Sequence, residues 1–163
     1  MPSAPLTLAA VGCGSRVQVY SALAATMPDR YRVVAAADPI PDRLERVRQL
    51  SQNPGLRTFA NDRELFAAGK LADVLMIGTQ DPHHVGPCIA AMELGYDVLL
   101  EKPIATNFHE VQRLESAANR LGRRVLICHV LRYTTFYSKI KDLIVGGDLG
   151  DLIAVNATEG VGL

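Results

Sequence analysis

The sequence predicts a doubly wound α/β domain, a parallel sheet covered by helices on both faces. Three observations carry this expectation. Short apolar runs of strand length recur between residues 6 and 127. Helical patterns with one apolar face fill the intervals between them. Glycine, proline or asparagine marks nearly every junction, and the first run passes through a glycine-rich turn directly into a helix.

The elements follow in order. Residues 6–11 (Leu-Thr-Leu-Ala-Ala-Val) form an apolar run closed by Gly12, as a buried parallel strand does. A helix follows, with Val17, Tyr20, Leu23 and Met27 on its expected core face, ended by Pro28-Asp29. Residues 31–37 make a second strand, closed by Asp38-Pro39. Pro41 suits a first helical turn, and Leu44, Val47 and Leu50 repeat behind it. After the Asn53-Pro54-Gly55 loop come a weak strand at 57–60 and a short helix at 62–68. Residues 73–77 read as a buried strand. Val85, Cys88, Ile89 and Met92 place a helix ahead of Gly95, which suits a helix C-terminus. Residues 98–100 form the next strand. Asn107 with Glu110 resembles a capping box, opening a helix lined by Phe108, Val111, Leu114, Ala118 and Leu121 and ended by Gly122. Residues 125–127 are a sixth strand. Phe136, Ile140, Leu143 and Ile144 mark a last helix, stopped by Gly146-Gly147. Residues 151–158 read as one more strand, taken as the first strand of a C-terminal α+β domain that the sequence does not contain. The expected organisation is therefore a nucleotide-binding domain over 1–130, then a linking helix and the start of a second domain over 131–163.

Composition narrows the function. With 163 residues, 48% hydrophobic and 21% charged, the chain is globular. Lys plus Arg equals Asp plus Glu at 17 each, so no basic excess points to a nucleic-acid partner. No apolar run approaches the ~20 residues of a membrane span. The N-terminus lacks the basic segment of a signal peptide, which leads us to expect a cytoplasmic protein. Cys13, Cys88 and Cys128 are odd in number and widely spaced, as core thiols would be.

Four segments at strand ends carry chemistry. Gly12-Cys13-Gly14-Ser15-Arg16-Val17 is G-x-G-x-x-V between a strand and a helix. Its first glycine permits a tight turn, and its second lets a pyrophosphate approach the backbone at the helix N-terminus. Val17 replaces the glycine that normally permits close helix–strand packing. Asp38 ends the second strand, 26 positions after Gly12. An acid there hydrogen-bonds a ribose 2′-hydroxyl and repels a 2′-phosphate, favouring NAD. It reads equally as a cap on the next helix, and Arg43 nearby leaves NADP possible. Gly78-Thr79-Gln80-Asp81-Pro82-His83-His84 follows the fourth strand; its adjacent histidines do not converge on one metal, and no metal site is expected. Glu101-Lys102-Pro103 follows the fifth strand. A lysine there can hydrogen-bond a substrate hydroxyl, although the pair also reads as solvated charges.

Together these segments resemble the Gfo/Idh/MocA family of glucose–fructose oxidoreductase and inositol dehydrogenase relatives. The resemblance runs from Thr7 to about Thr158. It rests on Gly12-Cys13-Gly14-Ser15-Arg16, on Ala36-Ala37-Asp38-Pro39, on Thr79 with His84, and most specifically on residues 90–103, ending in Glu101-Lys102-Pro103. His84 lies 17 positions before Glu101, as the family pattern has it. Arg132-Tyr133 and Gly146-Gly147-Asp148-Leu149-Gly150 fit as well. The resemblance implies a Rossmann domain of an NAD(P)-dependent oxidoreductase acting on a sugar, polyol or related hydroxy compound; a homo-oligomer is expected separately, because the unpartnered segment 151–158 can pair with a neighbour's copy. The resemblance also implies that Gly12, Gly14, Ser15 and Arg16 hold the phosphates and Asp38 the adenosine ribose. Thr79, His84 and Glu101 would line the nicotinamide side, and Lys102 would be catalytic. Gln80 departs from a common proline. The family's downstream Asp and His have no counterpart here, so nucleotide binding with little turnover is expected. Two alternatives stand beside this: a non-catalytic nucleotide-binding or regulatory module, and a short-chain dehydrogenase using Tyr137 and Lys141 as a Y-x-x-x-K pair. The latter lacks its own glycine pattern.

Overall fold

The computed structural model describes residues 4–158 and 160. Six strands form one sheet: β1 (Leu6–Val11), β2 (Tyr31–Ala37), β3 (Arg57–Phe59), β4 (Val74–Ile77), β5 (Asp97–Leu100) and β6 (Val125–Ile127). The strand order is β3-β2-β1-β4-β5-β6, and every pairing is parallel. The helices are α1 (Ser15–Ala25), α2 (Pro41–Leu50), α3 (Asp62–Ala67), α4 (Val85–Glu93), α5 (Phe108–Leu121) and α6 (Thr135–Val145).

Alternation along the strands divides the core between two faces, because successive side chains point to opposite sides of the sheet. Ala9, Val11, Ala35, Leu75, Ile77, Val98 and Leu100 pack with Leu65 of α3, Cys88 and Met92 of α4, and Leu114 of α5. Leu8, Ala10, Val33, Ala36 and Met76 pack with Val17 and Ala24 of α1 and Val47 of α2. The strand order reverses between β1 and β4, where the crevice of such a sheet opens at the strands' C-terminal ends.

Several expectations need correction. The core face of α1 is Val17, Ser21 and Ala24, not a line through Leu23, which is 54% exposed. Small residues at i, i+4 and i+7 let the helix lie close to the alanine-rich strands, and Leu23 falls off that line. The same helix ends at Ala25, short of Met27. Phe108 does not line the core side of α5 but stands exposed at its start. Asn107 caps that helix by accepting from the Glu110 N–H at 3.0 Å, while Glu110 turns to Arg113 rather than back to the cap. Residues 151–158 form no strand and are exposed. Strand backbone needs a partner for its N–H and C=O groups, and no strand of the described residues supplies one.

The chain divides into two compact units, Met1–Cys128 and His129–Leu163. The first contains the whole sheet and α1 to α5. The second contains a 3₁₀ turn at Val130–Tyr133 and α6, whose cap is Thr134.

Candidate functional site

The site is built from the turns that leave β1, β2, β4 and β5. Gly12 leaves β1 with φ +79°, and a Cβ there would meet the Thr79 nitrogen at 2.6 Å and the Gly78 carbonyl carbon at 2.7 Å. Only glycine fits this position, on conformation and on space alike. Gly14 differs. Its backbone is ordinary (φ −68°), and a Cβ would meet nothing within 4 Å. Neither conformation nor protein packing demands a glycine there, so the space above it is free for a ligand to approach the chain. Gly14 is also the N-cap of α1 and offers no side-chain cap, and no acidic residue occupies the first turn. Ser15 and Arg16 are exposed beside it. The donor ends of this turn suit an anion.

Val17 is accommodated by a second glycine. A Cβ on Gly78 would lie 2.8 Å from Val17 Cγ2, so bulk missing from the end of β4 makes room for bulk on α1. Gln18 ties the loop from the other side, donating from Nε2 to the Cys13 carbonyl at 3.0 Å.

Asp38 is 2% exposed, and both carboxylate oxygens are engaged. Oδ2 accepts the Cys13 N–H and Oδ1 the Ile40 N–H, each at 2.8 Å. Arg43 approaches Oδ2 at 3.6 Å, its own side chain half in solvent. Asp38 therefore welds the glycine loop to the start of α2. Burial, with Asp38 adding to it, pushes the Cys13 thiol up to about 12. A cavity of about 420 Å³ opens at this point, lined by Gly12, Asp38, Asn61, Thr79, His83 and Pro87 among others.

On the far side of the switch point, Thr79 donates from Oγ1 to the His83 carbonyl at 2.9 Å. His84 is 1% exposed, and its ring spans two turns: Nδ1 lies 2.6 Å from the Pro103 carbonyl and Nε2 3.1 Å from the Thr79 carbonyl. A carbonyl only accepts, so a ring with one N–H serves one of them and a ring with two serves both. Glu101 is 6% exposed and makes no ion pair with Lys102 among the described residues. Its carboxylate accepts from the Tyr20 hydroxyl of α1 and, at 3.2 Å, from the Lys102 N–H. Burial first, and then the bond to Glu101, push the Tyr20 phenol far up. Lys102 itself is exposed, and the Lys102–Pro103 peptide bond is cis.

The structure thus brings Gly12, Asp38 and Thr79 to one crevice, with Gly14 two residues on at the start of α1 and Lys102 at the next strand end but one from β1. It turns His84 and Glu101 inward, where they brace the turns. Tyr20 and Gly78 were not singled out from the sequence: a tyrosine at helical spacing reads as core, and a strand-end glycine as an ordinary turn. Tyr137 and Lys141 lie exposed on α6 in the second unit, where the Tyr137 ring meets its neighbour Phe136 edge-on at 5.2 Å. Among the described residues no three His, Cys, Asp or Glu side chains gather to hold a metal, and no helix is long and apolar enough to cross a membrane.

Comparisons with known proteins agree on one kinship. A family model described as "Oxidoreductase family, NAD-binding Rossmann fold" matches residues 6–129. Oxidoreductase P35 of Formosa agariphila is 27% identical over 88% of this chain and 44% of its own length. Inositol 2-dehydrogenase 3 of Saccharopolyspora erythraea is 28% identical over 72% of this chain and 34% of its own length. The WlbA dehydrogenase of Bordetella pertussis, solved with NADH and UDP-GlcNAcA, superposes with a TM-score of 0.81 at 25% identity, covering 90% of this chain and 43% of that one. The chain spans less than half the length of each of these proteins.

Proposed function

Because the chain belongs to the Gfo/Idh/MocA oxidoreductase family, with its NAD-binding Rossmann fold, we propose that it is the nucleotide half of a dehydrogenase passing a hydride between NAD and a sugar, polyol or related hydroxy compound. One observation supports this above the others: the glycine loop leaves open space over Gly14 at an uncapped helix start, beside a buried Asp38. In this reading Gly12, Gly14, Ser15 and Arg16 hold the pyrophosphate. Asp38 turns a remaining lone pair toward the adenosine ribose and keeps a 2′-phosphate away, so NAD is preferred over NADP. Thr79 borders the nicotinamide side, and His84 and Glu101 hold the shape of that side from behind. Bound NAD supplies the two-electron acceptor. Lys102 donates a hydrogen bond to the substrate hydroxyl, orienting the carbon that loses hydride and easing loss of the hydroxyl proton.

Relatives named as inositol dehydrogenases support the substrate class. Assembly as a homo-oligomer and a cytoplasmic setting belong to the same reading; the buried free thiols suit a reducing compartment. The 163 residues themselves bind nucleotide with little turnover, since Lys102 is the one proton-handling side chain that the reading places at the reacting carbon. Calorimetric titration with NAD⁺ and NADP⁺ tests it. Tighter binding of NAD⁺, lost in Gly14→Val, is the expected result. Wild-type binding that survives Gly14→Val, or no binding at all, overturns the site. Specific dehydrogenase activity in this chain alone overturns the division of labour.

A further inference from the structure

We propose that Tyr20 is a positioning residue for Lys102, acting through Glu101. The proposal rests on the reading above in one respect, that the nicotinamide end of the dinucleotide lies at the C-terminal ends of β4 and β5.

The Glu101 N–H donates to the Ile77 carbonyl at 3.0 Å and closes the β4–β5 ladder. The next amide, that of Lys102, is beyond β5, and its acceptor is the carboxylate of Glu101 itself. That carboxylate is buried, no cation pairs with it among the described residues, and its other oxygen accepts from the Tyr20 hydroxyl. The orientation of Glu101, and with it the cap on the Lys102 amide, therefore depends on a phenol 81 residues away in sequence. The Cys128 thiol, held protonated by burial, faces both Tyr20 and Glu101 and belongs to the same cluster. Tyr20 also stays protonated well above neutral pH, so it donates throughout the working range. On the other side of Lys102, His84 holds the Pro103 carbonyl. The lysine is thus presented from a turn fastened at both neighbours, by α1 through Glu101 and by the start of α4 through Pro103.

Tyr20 lies in the second turn of α1, the helix whose first turn faces the pyrophosphate in the proposed complex. One rigid element consequently sets both the phosphate end and the lysine end of the site. Removing the hydroxyl leaves a buried carboxylate one donor short, free to turn away from the Lys102 amide.

Tyr20→Phe, Glu101→Ala and the double variant test this in the full 163-residue chain. NADH is compared with ADP-ribose, which lacks the nicotinamide, and exchange of the Lys102 amide is followed by NMR without ligand. Tyr20→Phe should weaken NADH roughly three- to tenfold, because the turn carrying Lys102, which borders the nicotinamide in the proposed complex, loosens, leave ADP-ribose unchanged, and speed exchange at Lys102. In the Glu101→Ala background it should add nothing to any of these. Equal losses for both ligands, additive effects in the double variant, or an unchanged Lys102 amide overturn the proposal. If the unmodified chain bound neither ligand, the functional reading would fall, while the amide exchange would still decide for or against Tyr20.

Discussion

In the proposed site Asp38 joins two duties in one carboxylate. A strand-end acid in a dinucleotide fold is expected to read a ribose, yet here each oxygen already accepts a backbone N–H, from Cys13 and from Ile40. Asp38→Ala should therefore lower stability by ~1–3 kcal/mol with no nucleotide present, because the buried Cys13 N–H and the partly buried Ile40 N–H lose their acceptor. Urea unfolding of the ligand-free chain measures it, and an unchanged midpoint would mean that Asp38 serves the ligand alone. The thiols carry a second prediction. Burial pushes Cys13 and Cys88 up to about 12 and raises Cys128 as well. All three should react slowly with a disulfide reagent at pH 8 and quickly in denaturant, since the thiolate is the nucleophile. Rapid labelling of the folded chain would contradict this. At the scale of single residues, Gly12, Asp38 and Lys102 were legible because order along the chain encodes a strand end. Tyr20 was not, nor was the inward turn of His84 and Glu101. Their bonds run to α1 and to carbonyls of other turns, partners that spacing does not name.

Elements meet in this fold through a few specific contacts, and two of them can be broken separately. Gly78 and Val17 share one space where α1 crosses the end of β4. Gly78→Ala should cost ~1–3 kcal/mol by overpacking, and Val17→Ala in the same chain should recover most of it. Additive losses, measured by denaturation, would show that the two sites do not share that space. At the opposite, N-terminal ends of the strands, carboxylates tie neighbouring strands. Asp73 accepts the Thr7 N–H at 2.8 Å, and Asp97 accepts the Arg124 N–H at 3.0 Å. The bonds to Thr7 hold the Asp73 carboxyl below the usual range, and the backbone bond from Arg124 does the same for Asp97. A lowered folded value adds stability that is complete above the unfolded value and is lost as pH falls through the folded one. Asp73→Asn and Asp97→Asn should thus be less stable than the parent at pH 7, with the difference closing below about pH 4. A difference that stays constant with pH would refute it. The strands and helices themselves were largely visible in the sequence, since apolar runs and helical spacing record burial directly. The orientation of α1 was not, because the bulk of Leu23 suggested a core face that small residues at Val17, Ser21 and Ala24 in fact provide.

Across the first unit, the cavity at Asp38 and the exposed apolar surface lie apart, and Tyr20 is the proposed site residue that borders the apolar side. Leu6, Leu8, Leu23, Met27, Leu99 and Leu126 border a groove of about 570 Å³ on the α1 face of the sheet, and it shares no lining residue with the cavity at Asp38. Leu23 and Leu126 stand more than half exposed there. Contiguous apolar surface of this kind is unfavourable in water and attracts any apolar cover. The groove was not legible in the sequence, since each of its residues fits a strand or helix pattern that assumes a covered face. An environment-sensitive apolar dye should bind the chain without competing with NAD⁺, because the groove shares no lining residue with the cavity at Asp38. Leu23→Lys and Leu126→Lys should each weaken the dye and leave NAD⁺ affinity unchanged. Displacement of the dye by NAD⁺, or loss of NAD⁺ binding in either lysine variant, would show that the two surfaces act as one. Independence would instead mean that the apolar rim at Leu23 and Leu126 is free to be covered without disturbing the nucleotide.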